Sequence, residues 1–163
     1  MPPTQSPLYF LAGLRVAGGN TSSGSSSPWT SKVGDLARKD VASLGPDATV
    51  REAAALMNSK GTGSVVVVSP EGVVIGIFTE RDLARVVGEG VSYDTKLGSV
   101  MTKNPVTVRS DEPLIKALEL MSERKIRHVP VVDSGGRLVG ILTARDIVDV
   151  TEKYLASMGY VPE

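Results

Sequence analysis

The chain has 163 residues, with 18 Lys and Arg balanced by 18 Asp and Glu, a single His and no Cys. A formal net charge of zero leaves no basic excess to neutralise a run of phosphates, so nucleic-acid binding has no global electrostatic support. The missing cysteines exclude disulfides, thiolate metal sites and a cysteine nucleophile, and the lone His128 excludes a multi-histidine metal centre.

The apolar stretch Leu8–Ala17 is too short to span a bilayer and contains Arg15, and no positive side chain precedes it as a signal peptide requires. A cytoplasmic protein without a membrane partner is therefore expected. Residues Gly18–Ser27 are all Gly, Asn, Thr or Ser, a composition that buries almost nothing and cannot offset its ordering entropy. A flexible extension is expected over 1–30, with a short docking arm at Leu8–Leu11 as the other reading. Trp29 reads as a packing anchor where the folded part begins.

From Val33 onward the chain repeats itself. Sliding Val33–Val86 by 64 positions onto Leu97–Val150 needs no gap and leaves sixteen of fifty-four positions identical. Each copy opens with a short apolar strand (Val41–Leu44; Val106–Val108). A helix follows, with apolar residues at helical spacing: Val50, Ala53, Ala54 and Met57 in one copy, Leu114, Ala117, Leu118 and Met121 in the other. Two β-branched runs come next, Ser64–Val68 with Val73–Phe78 and His128–Val132 with Leu138–Leu142, each pair joined by a hairpin turn. A second helix opens at Thr79 or Thr143.

The predicted fold is therefore α+β: two tandem β-α-β-β-α repeats. A unit this small is insecure alone, so the copies should pack sheet to sheet about a pseudo-twofold axis, leaving two equivalent clefts. The expected organisation is the extension at 1–30, repeat one at 31–92, repeat two at 93–153 and a tail at 154–163.

The residues that suggest chemistry are Gly76–Asp82 and Gly140–Asp146, where a strand ends and a helix begins at a Thr. Thr79 and Thr143, with the free N–H groups of the first helical turn, form an anion site. Arg81 and Arg145 add a fork of donors suited to phosphate, and Asp82 and Asp146 can accept two hydrogen bonds from a vicinal diol. Phosphate donors and a diol acceptor one turn apart describe a ribose-phosphate. Val65, Ile126, Val129 and Pro130, on or beside the strands, are candidates to sandwich a planar base. The plainer reading is that Thr-x-x-Asp is a capping box and the Arg a solvated surface charge. An Arg at the second helical position argues against capping alone, because the macrodipole mildly disfavours a cation there.

These segments, together with Val100–Val108 and Ile126–Asp133, resemble the cystathionine-β-synthase (CBS) domain, and the pair resembles the tandem unit called a Bateman module. The resemblance covers about Val33 to Thr151. It implies that adenosine ligands such as AMP, ADP, ATP or S-adenosylmethionine bind in the clefts between repeats. Asp82 and Asp146 would then hold the ribose, Thr79 and Thr143 ribose or phosphate, and Arg81 and Arg145 the phosphates. Ile126, Val129 and Pro130 would pack the base in the second copy, Ser64 and Val65 in the first. Backbone near Ser43 and Thr107 would read the base edge. The first copy departs from the pattern, with Val66 in place of Pro130 and Gly61–Gly63 in place of Lys125–Arg127, so the second-copy site ranks first.

His128 reads as a partly exposed strand histidine. Glu80 and Asp82 lie two positions apart at a helix start, where their side chains diverge and cannot act as a catalytic pair. The chain is thus expected to be no enzyme and to need no cofactor or metal, with an adenine nucleotide as regulatory ligand. The resemblance implies a homodimer, and because no separate effector domain is present within the chain, any regulated target is expected to be another protein. A ligand-free dimeric interaction scaffold is the alternative.

Overall fold

The structure, a computed structural model, describes residues 26–160. Most of the expected flexible extension, with the docking arm at Leu8–Leu11, lies outside them. Of the remainder, Pro28–Thr30 forms a 3-10 turn, and Trp29 packs half-buried against the core of the second repeat.

The elements that follow are α1 (Val33–Leu36), β1 (Ser43–Leu44), α2 (Val50–Lys60), β2 (Ser64–Val68), β3 (Val74–Thr79) and α3 (Glu80–Gly88). Then come α4 (Leu97–Val100), β4 (Thr102–Lys103), β5 (Val108–Arg109), α5 (Leu114–Arg124), β6 (His128–Val132), β7 (Leu138–Thr143) and α6 (Ala144–Ser157). The last helix thus runs into the stretch expected to be a tail. The hairpin strands follow the sequence reading closely, whereas the opening strands shrink to Ser43–Leu44 and Val108–Arg109, β4 was not expected, and the short helices α1 and α4 carry too few residues for a periodic signal.

Two sheets form, β1-β2-β3-β4 and β5-β6-β7. In each, the first strand runs parallel to the second, and the second and third make an antiparallel hairpin. Both hairpins shift register at the same place in the repeat, Val67/Val68 and Val131/Val132.

Side chains alternate along a strand, so each sheet has two faces to cover. On one face Val65, Val67 and Phe78 pack under Val50, Ala53 and Met57 of α2 and Val86 of α3. Val129, Val131 and Leu142 do the same with Leu114 and Ala117 of α5. The opposite faces carry Val66, Ile77, Pro130 and Ile141, which are also buried although they belong to neither helix-covered cluster. Reciprocal hydrogen bonds from Val74 N–H to Gly136 O and from Leu138 N–H to Gly72 O tie the two hairpin turns together. This is the sheet-to-sheet arrangement a duplicated unit needs.

One feature escaped the sequence reading: the opening helix of each copy docks on the other copy. Val33 of α1 is fully buried in the second repeat's core, and Leu97 and Val100 of α4 are buried in the first repeat's core. The backbone repeats the exchange with matched bonds. Val33 N–H donates to Glu112 O and Gly34 N–H to Ser110 O, while Leu97 N–H donates to Ala48 O and Gly98 N–H to Pro46 O.

The crossing segments also lie against two glycines. A Cβ at Gly76 would collide with Met101, and one at Gly140 would sit 3.0 Å from both Ala37 Cβ and Arg38 O. Backbone cannot yield as a flexible side chain can. Gly140→Ala should therefore lower stability by about 1–3 kcal/mol in a urea unfolding curve. Gly45→Ala, with nothing within 4 Å of the added carbon, should leave the midpoint nearly unchanged.

Candidate functional site

Both strand-to-helix corners are full capping boxes. At the first, Thr79 N–H donates to Asp82 Oδ2 (2.9 Å) and Asp82 N–H to Thr79 Oγ1 (3.4 Å). At the second, Thr143 N–H donates to Asp146 Oδ2 (2.8 Å) and Asp146 N–H to Thr143 Oγ1 (3.2 Å). The capping reading thus accounts for one oxygen of each carboxylate, and both carboxylates are buried, with Asp82 9% and Asp146 8% exposed.

The other oxygen, Oδ1, differs between corners. Asp82 Oδ1 lies 3.4 Å from the Thr102 hydroxyl and 3.5 Å from Arg85, whose guanidinium is itself anchored on Val100 O at 2.7 Å. Asp146 Oδ1 accepts a 2.7 Å charge-assisted bond from Arg38 Nε. Neither Arg38 nor Thr102 was singled out from the sequence, yet they lie 64 positions apart, so the register of the duplication marks them as equivalents.

Each corner opens on a cavity, and each cavity draws on both repeats. Thr79, Arg81 and Asp82 line one of about 470 Å³ that faces Lys125, Ile126 and Arg127 of the second repeat. Thr143 and Arg145 line a larger one, about 1130 Å³, together with Arg38 and the loop Gly61–Gly63 of the first. The structure therefore corrects the copy-by-copy grouping of site residues. Ile126 lies with the Thr79 corner and apart from Thr143, because the sheets face each other and each strand end meets the opposite repeat.

Other expected residues lie elsewhere. Val65 and Val129 are fully buried in the helix-covered cores and line neither cavity, because strand alternation turns them away from the clefts. Pro130 is buried on the opposite face, between the sheets. Ser64 is buried as well, and its Oγ has no hydrogen-bond partner among the described residues. Ser43 is exposed and Thr107 half-buried, and neither lines a cavity. Of the residues expected to wall a base only Ile126 lines a cavity, with Ile77 beside it in the smaller one; Ala54, Met57, Leu83, Ala144 and Val148 are the apolar side chains of the larger.

Gly63, Glu80, Arg127 and His128 line both cavities and so form the partition between them. Burial pushes the His128 imidazole below its usual value of 6.5; Glu80 opposes the shift, Arg127 adds to it, and Asp146 weakly opposes it. The unfolded chain then takes up this proton at higher pH than the folded protein. The group's stability contribution is complete above about pH 6.5 and is lost as pH falls from there towards the depressed folded value. Melting temperature should accordingly fall between about pH 7.5 and pH 5.5. In the His128→Gln variant the drop should be smaller; an identical drop in both proteins would show that other groups cause it.

Among the described residues, no cluster of three or more His, Asp or Glu side chains could hold a metal ion, and no helix is long and apolar enough to cross a membrane.

Two stretches of the chain, 33–89 and 97–153, match the CBS domain family. The chain is 41% identical over 127 residues to an uncharacterised protein of Methanopyrus kandleri, covering 77% of this chain and 64% of that protein. It spans a still smaller share, 23%, of an inosine-5'-monophosphate dehydrogenase of Methanocaldococcus jannaschii that it also matches. Among solved structures, a CBS domain protein from Pyrobaculum aerophilum complexed with AMP superposes with a TM-score of 0.68 at 28% identity, covering 74% of this chain and 98% of that one. A CBS domain pair in complex with 5'-methylthioadenosine and S-adenosyl-L-methionine superposes with a TM-score of 0.71 at 28% identity, covering 77% and 98%. The chain belongs to the CBS domain family and carries two such domains in tandem.

Proposed function

We propose that this chain is a regulatory module that binds adenosine ligands, AMP, ADP, ATP or S-adenosylmethionine, in the two clefts between its repeats. It is not itself a catalyst. It modulates another protein and works as a cytoplasmic homodimer. The observation that carries the reading is the larger cleft, where the exposed Arg145 fork, with Arg38 and Arg127, borders a cavity of about 1130 Å³. That volume suits a nucleotide-sized ligand. Arg81 takes the same place at the smaller cleft, and structural neighbours hold AMP or S-adenosylmethionine. Support for the dimer is limited to α6, where Leu155 is 39% exposed two turns beyond Val148, which itself lines the larger cleft.

Calorimetric titration with AMP, ATP and S-adenosylmethionine is the test. Saturable binding by the folded protein is expected, and no heat up to about millimolar ligand, a concentration matched to weak binding of roughly −4 kcal/mol, would overturn the reading. The second reading, a ligand-free interaction scaffold, draws on the Arg38–Asp146 ion pair, which already occupies one diol acceptor. Its signature is a dimer by sedimentation with no thermal shift from any of these ligands.

A further inference from the structure

The duplication makes Arg38 and Thr102 equivalent, and the backbone agrees. Arg38 pairs antiparallel with Ile141 of β7, and Thr102 with Ile77 of β3. Both side chains reach Oδ1 of the corner Asp, the oxygen left over after capping. One is a neutral hydroxyl at 3.4 Å and the other a guanidinium at 2.7 Å. Arg85 approaches Asp82 as well, but it is held on Val100 O and lines neither cavity, whereas Arg38 lines the larger one. The equivalent of Arg85 in the second repeat is Asp149, so the Asp146 corner has no such fixed cation.

Arg38 therefore covers Asp146 Oδ1, the oxygen to which a sugar hydroxyl would donate, from the side of the larger cavity, which Arg38 lines and the buried Asp146 does not. A diol that docks there must displace it. The displaced guanidinium stays tethered beside the cleft, because Arg38 N–H donates to Ile141 O and Ile141 N–H donates to Arg38 O, both at 2.9 Å, although the side chain itself is 58% exposed. Its tether holds it at the edge of a cavity also lined by Arg127, Arg145, Glu80 and Asp149. A ligand with a diol alone breaks the ion pair and offers this cation only water in exchange. A ligand that also brings an anionic group replaces both partners.

Resting on the reading that the clefts take adenosine ligands, we propose that Arg38 is a specificity residue: it makes the Asp146 cleft select ligands carrying both a vicinal diol and an anionic tail. The Asp82 cleft, where a neutral Thr102 stands in the same place, lacks this requirement.

The experiment is calorimetric titration with AMP and adenosine as probes, in an Asp82→Ala background that leaves the Asp146 cleft. Arg38→Met should reduce the AMP-over-adenosine affinity ratio by about tenfold or more, the scale of one charge-assisted hydrogen bond. Adenosine itself should bind more tightly than to the parent, an effect that loss of a simple phosphate contact does not produce. Arg38→Lys, which keeps the charge, should retain most of the ratio. In the reciprocal background, Asp146→Ala, Thr102→Arg should confer a preference for AMP on the Asp82 cleft, which keeps the test open if Arg38→Met folds poorly. An unchanged ratio in Arg38→Met, or weaker AMP binding without a gain for adenosine, overturns the role of Arg38 alone. Failure of both probes to bind the parent and every variant overturns the adenosine reading, and this proposal with it.

Discussion

Leu97→Ala should cost about 2–5 kcal/mol in urea unfolding, the range for emptying a fully buried leucine site. The loss should fall on the first repeat although Leu97 opens the second. Its side chain is wholly buried among Val50, Ala53, Val67 and Phe78, and its N–H is tied to Ala48 O. Hydrogen exchange locates the damage: in the variant, amides of β2 and β3 should lose more protection than those of β6 and β7. Val33→Ala should show the mirror pattern, with a smaller cost because valine fills less volume. Equal loss across both sheets in each variant would mean that the two cores unfold as one unit.

Replacing Asp82 and Asp146 together by Ala should weaken AMP binding by about a hundredfold or more, because each carboxylate hydrogen bond to a sugar hydroxyl is worth roughly ten- to a hundredfold. The same change removes two helix caps and should lower stability by about 1 kcal/mol at each corner. The two effects separate in Asp82→Asn with Asp146→Asn, which keeps an oxygen able to accept the cap hydrogen bonds while removing the carboxylate charge. If AMP affinity in the double Asn variant stays at the parent level, these carboxylates serve as caps and nothing more.

Much of the architecture was readable because the chain is written twice. The strands Ser64–Val68 and His128–Val132 stand where alternation and β-branching place them, and the helices over Val50–Lys60 and Leu114–Arg124 follow their apolar spacing. The corners were legible too, since Thr-x-x-Asp after a strand specifies a cap wherever it occurs. Periodicity, however, reports which residues share a face, not what that face meets. Val65 and Val129 look like good walls for a planar base, and only their phase against the helices sends them into the core. The pairing of Ile126 with Thr79 depends on how two sheets stack, which no local pattern encodes. Arg38 is one surface arginine among many until the strand it crosses is known.

The exchange of α1 and α4 has a consequence for how occupancy of a cleft is transmitted. A swinging hinge between the halves would have to pull Val33 out of one core and Leu97 out of the other, so neither half can tilt away as a rigid lobe. If binding moves the two halves, a small sliding of one β-layer over the other is the motion that leaves both side chains in place. On the proposed regulatory reading, a partner would grip α3 or α6, and a cross-link between the two hairpin turns should block the response while leaving AMP binding intact.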